Sequence, residues 1–252
     1  MNAMSDAPLY LYGIIDASPD APDVSDWTGI KGASVRMLEG EQVAAVVSDA
    51  PTGKLRPRRR NLKAHHDTLR SLTDRTAVLP MAFGVLADSE QEVTHFLHTH
   101  REVLIDQLTR VRGQAEVTLR VRWNVDDIFD YFVSRYERLQ DMRDAFFGNG
   151  ASASRQEMIQ LGEQFESLLQ AEREAHLDTV LDHIEEVCRA IEIQDPKNES
   201  EVMNLACLVP KTGQDAFEEA VHEAAGSFGD EFLFKYTDPM APYSFADVAF
   251  DN

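Results

Sequence analysis

The sequence predicts an α+β protein, with an N-terminal ferredoxin-like sandwich followed by a C-terminal α+β domain with long helices. Three observations carry that prediction. Residues 1–123 read as β-β-β-α-β-α-β, which suits a ferredoxin-like sheet with one added strand. Residues 124–193 are dominated by helical periodicity, and a strand, a helix and a strand then close the chain. The charge changes where the pattern changes. Residues 1–123 hold 15 Lys/Arg against 16 Asp/Glu, whereas residues 124–252 hold 9 against 28. The expected modules are therefore 1–123 and 124–252, the second strongly acidic with a helical arm and an extended C-terminal tail.

The elements follow in order. "LYLYGII" (9–15) is apolar at every position but one, so it is expected to be a strand buried on both faces. "ASVRML" and "QVAAVVS", joined by "EGE", make a hairpin. "NLKAHHDTLRSL" starts a short helix with Asn61 as its cap. In "VLPMAFGVLAD" (78–88), Val78 to Leu86 form a strand or a strand and turn. Pro80 cannot donate to a ladder and belongs at a strand start or an edge, and Gly84 marks a bulge or a close backbone approach. Ser89 and Glu92 match a capping box. The helix behind them carries Val93, Phe96, Leu97, Leu104, Leu108 and Val111 as one stripe and ends at Gly113. "QAEVTLRVRW" (114–123) alternates, with Ala115, Val117, Leu119, Val121 and Trp123 inward and Glu116, Thr118, Arg120 and Arg122 on a wet face.

In the second half, Asn124 is expected to cap a helix whose buried face is Val125, Ile128, Phe129, Phe132, Tyr136 and Leu139. "FFGNGASAS" (146–154) reads as a loop. A long helical pattern covers Arg155 to about Ile193, in which Leu177, Leu181, Ile184, Cys188 and Ile191 keep a 4-3-4-3 spacing. "QAEREAH" interrupts that stripe upstream, so a helical hairpin arm is favoured over a long coiled coil. "NLACLV", "DAFEEAVHEAA" and "EFLFKYT" supply the closing strand, helix and strand, and "DPMAPYSFADVAFDN" trails behind them.

Composition narrows the function. A net charge of −20, concentrated in the second half, repels phosphate backbones and argues against nucleic acid. No apolar run approaches the roughly 20 residues of a membrane span, and the N-terminus has no basic region of a secretory signal. Two cysteines, Cys188 and Cys207, support neither a disulfide framework nor a zinc site, so a cytoplasmic setting is expected. His95 and His98 could share a helix face and His65 and His66 are adjacent. No spacing of a metal-binding motif accompanies them, and neither a metal nor a cofactor is expected. Nucleophile elbows and phosphate-binding glycine patterns are missing as well, so the chain reads as a non-enzyme.

Two segments remain as candidate partner contacts. "KLRPRRRNLK" (54–63) is the basic cluster of an acidic protein. Its Arg56, Arg58, Arg59 and Arg60 suit an acidic partner, including the second half of another copy, or else form a solvated loop. In the tail, Pro239 and Pro242 force extended geometry, while Met240, Tyr243 and Phe245 are too apolar for a free end. The tail lies on its own fold or binds a partner.

Taken in order along the chain, "LYLYGII", "QVAAVVSDAP", a histidine at 65 or 66, "VLPMAFGVLAD", "LTRVRGQAEVTLRVRWN", "NLACLVP", "FEEAVHEAAGSFG" and "TDPMAPYSF" resemble the GvpL/GvpF family of gas vesicle proteins. The most specific landmarks are Leu79, Pro80, Phe83 and Gly84 of the Leu-Pro-x-x-Phe-Gly element and the Pro-Tyr-x-Phe ending. Ala82 stands where members often carry a basic residue. Asp238, Met240 and Ala241 depart from a Gly-Pro-Trp-Pro-Pro-Tyr tail. The resemblance implies a non-enzymatic accessory protein of gas vesicle assembly, cytoplasmic and vesicle-associated, that contacts the apolar shell protein and other accessory proteins during nucleation and growth. It also implies a modified ferredoxin-like N-terminal domain. Within that reading the 78–88 segment is core, with direct shell contact as the alternative role. A ferredoxin-like regulatory module that binds a small molecule is the alternative function.

Overall fold

A computed structural model describes residues 7–147 and 153–250. The chain forms two compact units. The first comprises Met1–Val117, Leu208–Lys211 and Asp238–Asn252; the second comprises Thr118–Cys207 and Thr212–Thr237. The division therefore falls inside a strand rather than at residue 123. The tail, grouped by sequence with the acidic half, belongs with the first unit because its apolar residues are buried there.

In the first unit, β1 (Leu9–Asp16), β2 (Val35–Glu39), β3 (Val43–Asp49) and β4 (Val78–Pro80) form an antiparallel sheet in the order β2-β3-β1-β4, and β5 (Leu86–Ala87) pairs with β1 beyond β4. β1 is central and buried along its length, as its apolar run requires. Its ladder with β3 slips between Leu11 and Gly13, leaving Tyr12 as the extra residue of a bulge. The bulge resets the alternation, so Tyr10, Tyr12 and Ile15 all join one core cluster with Leu69 and Leu72 of α1 (Arg59–Thr73). Helices α2 (Glu90–Thr99) and α3 (Arg101–Val111) also pack on this sheet, bringing Val93, Leu97, Leu104 and Leu108 to full burial.

Two features depart from the ferredoxin-like expectation. The β1-to-β2 connection holds a single 3-10 turn at Ile30–Gly32 where that fold has a crossover helix. The strand expected to complete the first sheet, β6 (Gln114–Trp123), pairs instead in a second one.

Other corrections are local. The helix expected to run unbroken from Ser89 to Val111 divides at His100, whose φ of −101° and ψ of 8° are not helical. Ser89 does accept from the Glu92 amide at 3.2 Å, but the Glu92 carboxylate takes the Asp88 amide, so the box is not reciprocal. Asn61 lies inside α1 with its amide donating back to the Arg56 carbonyl, and Arg58 holds the cap position. Glu116, assigned to a wet face, is buried.

The second unit is built on a four-stranded sheet ordered β7-β8-β6-β9, with β7 (Ala190–Gln194), β8 (Glu201–Pro210) and β9 (Phe232–Tyr236). Asp127, and not Asn124, caps α4 (Ile128–Arg135) by accepting from the Asp130 amide at 2.9 Å. The pattern then breaks at Tyr136 before α5 (Glu137–Phe147). Part of the 146–154 loop lies outside the described residues. α6 runs Arg155–Ile184, about 45 Å at 1.5 Å per residue, and opens with a reciprocal capping box of Ser154 and Glu157. It stops short of Ile193, and Ile191 is in β7 because the apolar period turns from helical to alternating there. α7 (Gln214–Gly226) packs along α6. Among the described residues no helix is long and apolar enough to cross a membrane.

Candidate functional site

The two sequence landmarks meet in the first unit, and a histidine joins them. β4 runs along Gly13–Ile15 of β1 and β5 along Leu9–Tyr10, so residues 78–87 form one kinked edge strand with the 81–85 turn at its bend. Pro80 sits on that edge, where a missing amide costs no ladder bond. Leu79 and Pro80 are buried, Phe83 packs half-buried against the core, and Ala82 is exposed. Gly84 has a φ of +99°, which a side-chain-bearing residue rarely adopts. Its amide donates to the Tyr10 hydroxyl at 3.2 Å.

His65, on the inward face of α1, is 0% exposed. Its Nε2 lies 3.1 Å from the Met81 carbonyl and 3.1 Å from the Tyr243 hydroxyl, and its Nδ1 lies 2.8 Å from the Tyr10 hydroxyl. A carbonyl only accepts, so Nε2 carries the proton and Nδ1 accepts from Tyr10. Burial pulls the imidazole down to about 4, with neighbouring His66 adding to the effect. Burial likewise pushes the Tyr10 phenol up, and it pushes up Tyr243 with help from the Glu116 charge. At neutral pH the cluster is therefore uncharged and fully protonated on its phenols. It works as a brace joining β1, α1, the 81–84 turn and the tail, and it offers no group poised to exchange a proton. Phe83 closes it edge-on to His65 at 5.8 Å and to Tyr10 at 6.2 Å.

The tail is held by more than Tyr243. Met240 exchanges both backbone hydrogen bonds with Glu116, each at 2.9 Å. The Glu116 side chain, in a residue 4% exposed, accepts from the Ser244 amide at 2.7 Å and its hydroxyl at 3.0 Å. Gln107 bonds the Asp247 backbone on both sides, and Phe250 lies 4.8 Å from Phe96. Phe245 is buried, while Met240 and Tyr243 are partly so. These candidate contacts are thus engaged with their own unit. Sequence reasoning did not single out Tyr10, Gln107 or Glu116. Glu116 fitted the polar half of an alternating strand, and only the tail's arrival explains its burial.

Arg56, Arg58, Arg59 and Arg60 are all exposed around the start of α1. Three of them, Arg56, Arg58 and Arg60, line a cavity of about 150 Å³ together with Lys31, Lys54 and Asn61. Lys31 arrives from the 3-10 turn and was not singled out by sequence. No group of three or more His, Cys, Asp or Glu side chains converges for a metal among the described residues.

The second unit presents Phe147, Met158 and Ile159 at 49%, 51% and 50% exposure. Phe147 ends α5, and the other two lie in the opening turns of α6.

Comparison with known proteins agrees with this architecture. Residues 8–247 match the family model described as gas vesicle synthesis protein GvpL/GvpF. The chain is 27% identical to gas vesicle protein F of Dolichospermum flosaquae, over 96% of this chain and 98% of that one. It is 29% identical to gas vesicle protein F of a Streptomyces species, over 94% and 99%. The crystal structure of GvpF from an Anabaena species superposes with a TM-score of 0.81 at 25% identity, covering 96% of this chain and 99% of that one. GvpF from Microcystis aeruginosa superposes with a TM-score of 0.82, covering 96% and 100%.

Proposed function

Because the chain belongs to the GvpL/GvpF family of gas vesicle synthesis proteins, we propose that it is an accessory factor of vesicle assembly that binds the apolar shell protein and catalyses no reaction. The observation that carries this reading is the apolar end of the α5–α6 arm. Phe147, Met158 and Ile159 each keep about half of their surface in water, in a part of the chain otherwise dense in carboxylates. Large apolar side chains kept half in water near the ends of both helices supply the surface that we assign to the contact. A wall subunit must be held in solution until it is placed. An apolar tip grips it, and the net charge of the acidic half keeps the pair apart from other pairs by repulsion. The brace at His65 then serves the scaffold, and other vesicle accessory proteins are further partners.

The test is co-purification of the shell protein with the full chain and with a triple variant, Phe147→Ser, Met158→Ser and Ile159→Ser. Capture by the parent chain and its loss in a folded variant is the expected result. Equal capture by both would remove the arm from the contact. Failure of the parent chain to capture at any salt concentration would overturn shell binding. Neutralising the acidic residues within 157–201 should leave binding in place but cause the pair to aggregate.

A further inference from the structure

We propose that the cavity at the start of α1 is a binding site for a phosphate-class oxyanion, either free phosphate or pyrophosphate or the phosphate end of a nucleotide. Five cationic side chains, Lys31, Lys54, Arg56, Arg58 and Arg60, line it with Asn61, and no carboxylate is in the lining. They come from two places in the chain, the 3-10 turn after β1 and the segment running into α1. The five cavity residues make no ion pair among the described residues; Lys31 instead donates to the Thr52 carbonyl at 3.3 Å. Convergent like charges repel at short range, and an anion between them turns that repulsion into attraction.

Two further features lie at the cavity. Lys31 has a φ of +53°, the one positive value at a residue other than glycine among the described residues, so the chain holds this lysine where glycine would be relaxed. Arg58 occupies the cap position of α1 with no side-chain cap bond, and no acidic residue stands in the first turn. The Asn61 amide pins the Arg56 carbonyl at 2.9 Å, which fixes the loop that carries the cations.

Size and charge select the ligand. About 150 Å³ is well below the roughly 300 Å³ at which sites for drug-sized molecules begin. A compact anion fills a space of that size. Three of the lining residues are arginines, and a guanidinium binds phosphate oxygens through its planar fork as well as its charge. A single carboxylate would leave most of the positive charge unmet.

The experiment is titration calorimetry of the full chain with pyrophosphate, inorganic phosphate and ATP at constant ionic strength, beside Arg56→Ala/Arg58→Ala and Lys31→Gly variants. The expected result is saturable one-site binding of pyrophosphate, weakened at least tenfold in the double variant. Lys31→Gly should also bind more weakly, yet unfold at a higher temperature than the parent chain when no anion is present. Pyrophosphate and ATP binding alike would assign the site to the phosphates alone, and tighter ATP binding would add a nucleoside contact outside the cavity. The proposal is overturned if pyrophosphate does not saturate by 10 mM (on the order of the weakest useful affinity), or if the double variant binds as the parent does. It is also overturned if an oligoglutamate peptide binds tighter than pyrophosphate and competes with it, since the cavity would then be part of a protein-docking surface.

Discussion

Replacing His65 by Asn should flatten the acid side of the stability profile. The imidazole is 0% exposed, is bonded at both nitrogens, and is held near 4, whereas in the unfolded chain it titrates near 6.5. Above pH 6.5 both states are neutral and the group adds no pH dependence. As pH falls below 6.5 the unfolded chain takes up a proton that the folded chain refuses until about 4. Stability present above 6.5 is therefore lost progressively toward 4. At about 1.4 kcal/mol per unit, the loss from this residue between pH 7 and pH 5 is about 2 kcal/mol, and it approaches 3 kcal/mol if carried to 4. Urea denaturation of parent and His65→Asn chains at pH 7.5, 6.5, 5.8 and 5.2 gives the comparison, with the last point kept above the pI of 4.7 to avoid precipitation. Charged groups remote from residue 65, His176 among them, are common to both chains and cancel in the difference. The Asn chain should be the less stable at pH 7.5, because the ring and its bonds are gone, and should lose less on acidification. Parallel profiles would refute the reasoning, because His65 would then be protonating in the folded state as readily as in the unfolded one.

Three further predictions use the same unfolding assay. Tyr243→Phe removes the hydroxyl 3.1 Å from His65 while the Met81 carbonyl still satisfies Nε2, so the loss should be about 1 kcal/mol; a loss several times larger would mean that the tail itself is released. Gly13→Ala puts a methyl 2.8 Å from the Leu79 carbonyl and 2.9 Å from a Val78 methyl. It should cost about 1–3 kcal/mol as overpacking, and a gain in stability would show that β4 yields freely. Asp127→Ala removes the α4 cap and should cost about 1 kcal/mol. The equivalent change at Asn124, which bonds the Asp230 carbonyl at 3.2 Å and caps no helix, should cost less; the reverse order would restore Asn124 as the cap.

Period and burial were legible where one face of an element meets one environment. β1, the β2–β3 hairpin, the kinked strand at 78–87 and the closing β8-α7-β9 run follow the apolar pattern closely. Breaks inside helices were not legible. The stripe through Val93, Leu97, Leu104 and Leu108 continues across His100, because a change of axis can keep apolar residues inward while interrupting the backbone. The end of α6 was misplaced for a related reason: Cys188 and Ile191 fit a helical spacing by coincidence while belonging to a turn and a strand. Nor could the partners of Glu116 and His65 be read. Their contacts with the tail join residues more than a hundred positions apart, and no local periodicity encodes such a meeting. The basic cluster was visible as composition, but its cavity was not, because Lys31 reaches it through the fold.

The engagement of Tyr243 with His65, 178 residues apart, bears on how the chain is made. The first unit includes residues from both extremes of the described sequence, with the second unit encoded between them. At roughly 5–20 residues per second on the ribosome, about 10–35 s separate the emergence of His65 from that of the tyrosine that closes over it. During that interval β1, α1 and the edge strand can assemble, but the seam that the tail fills stays open and Glu116 lacks the Ser244 donors that meet it in the finished fold. The unit that starts first is thus the one completed last. A chain released early would carry a finished sheet with an unsealed groove, a form that quality-control proteases can recognise before it meets a vesicle.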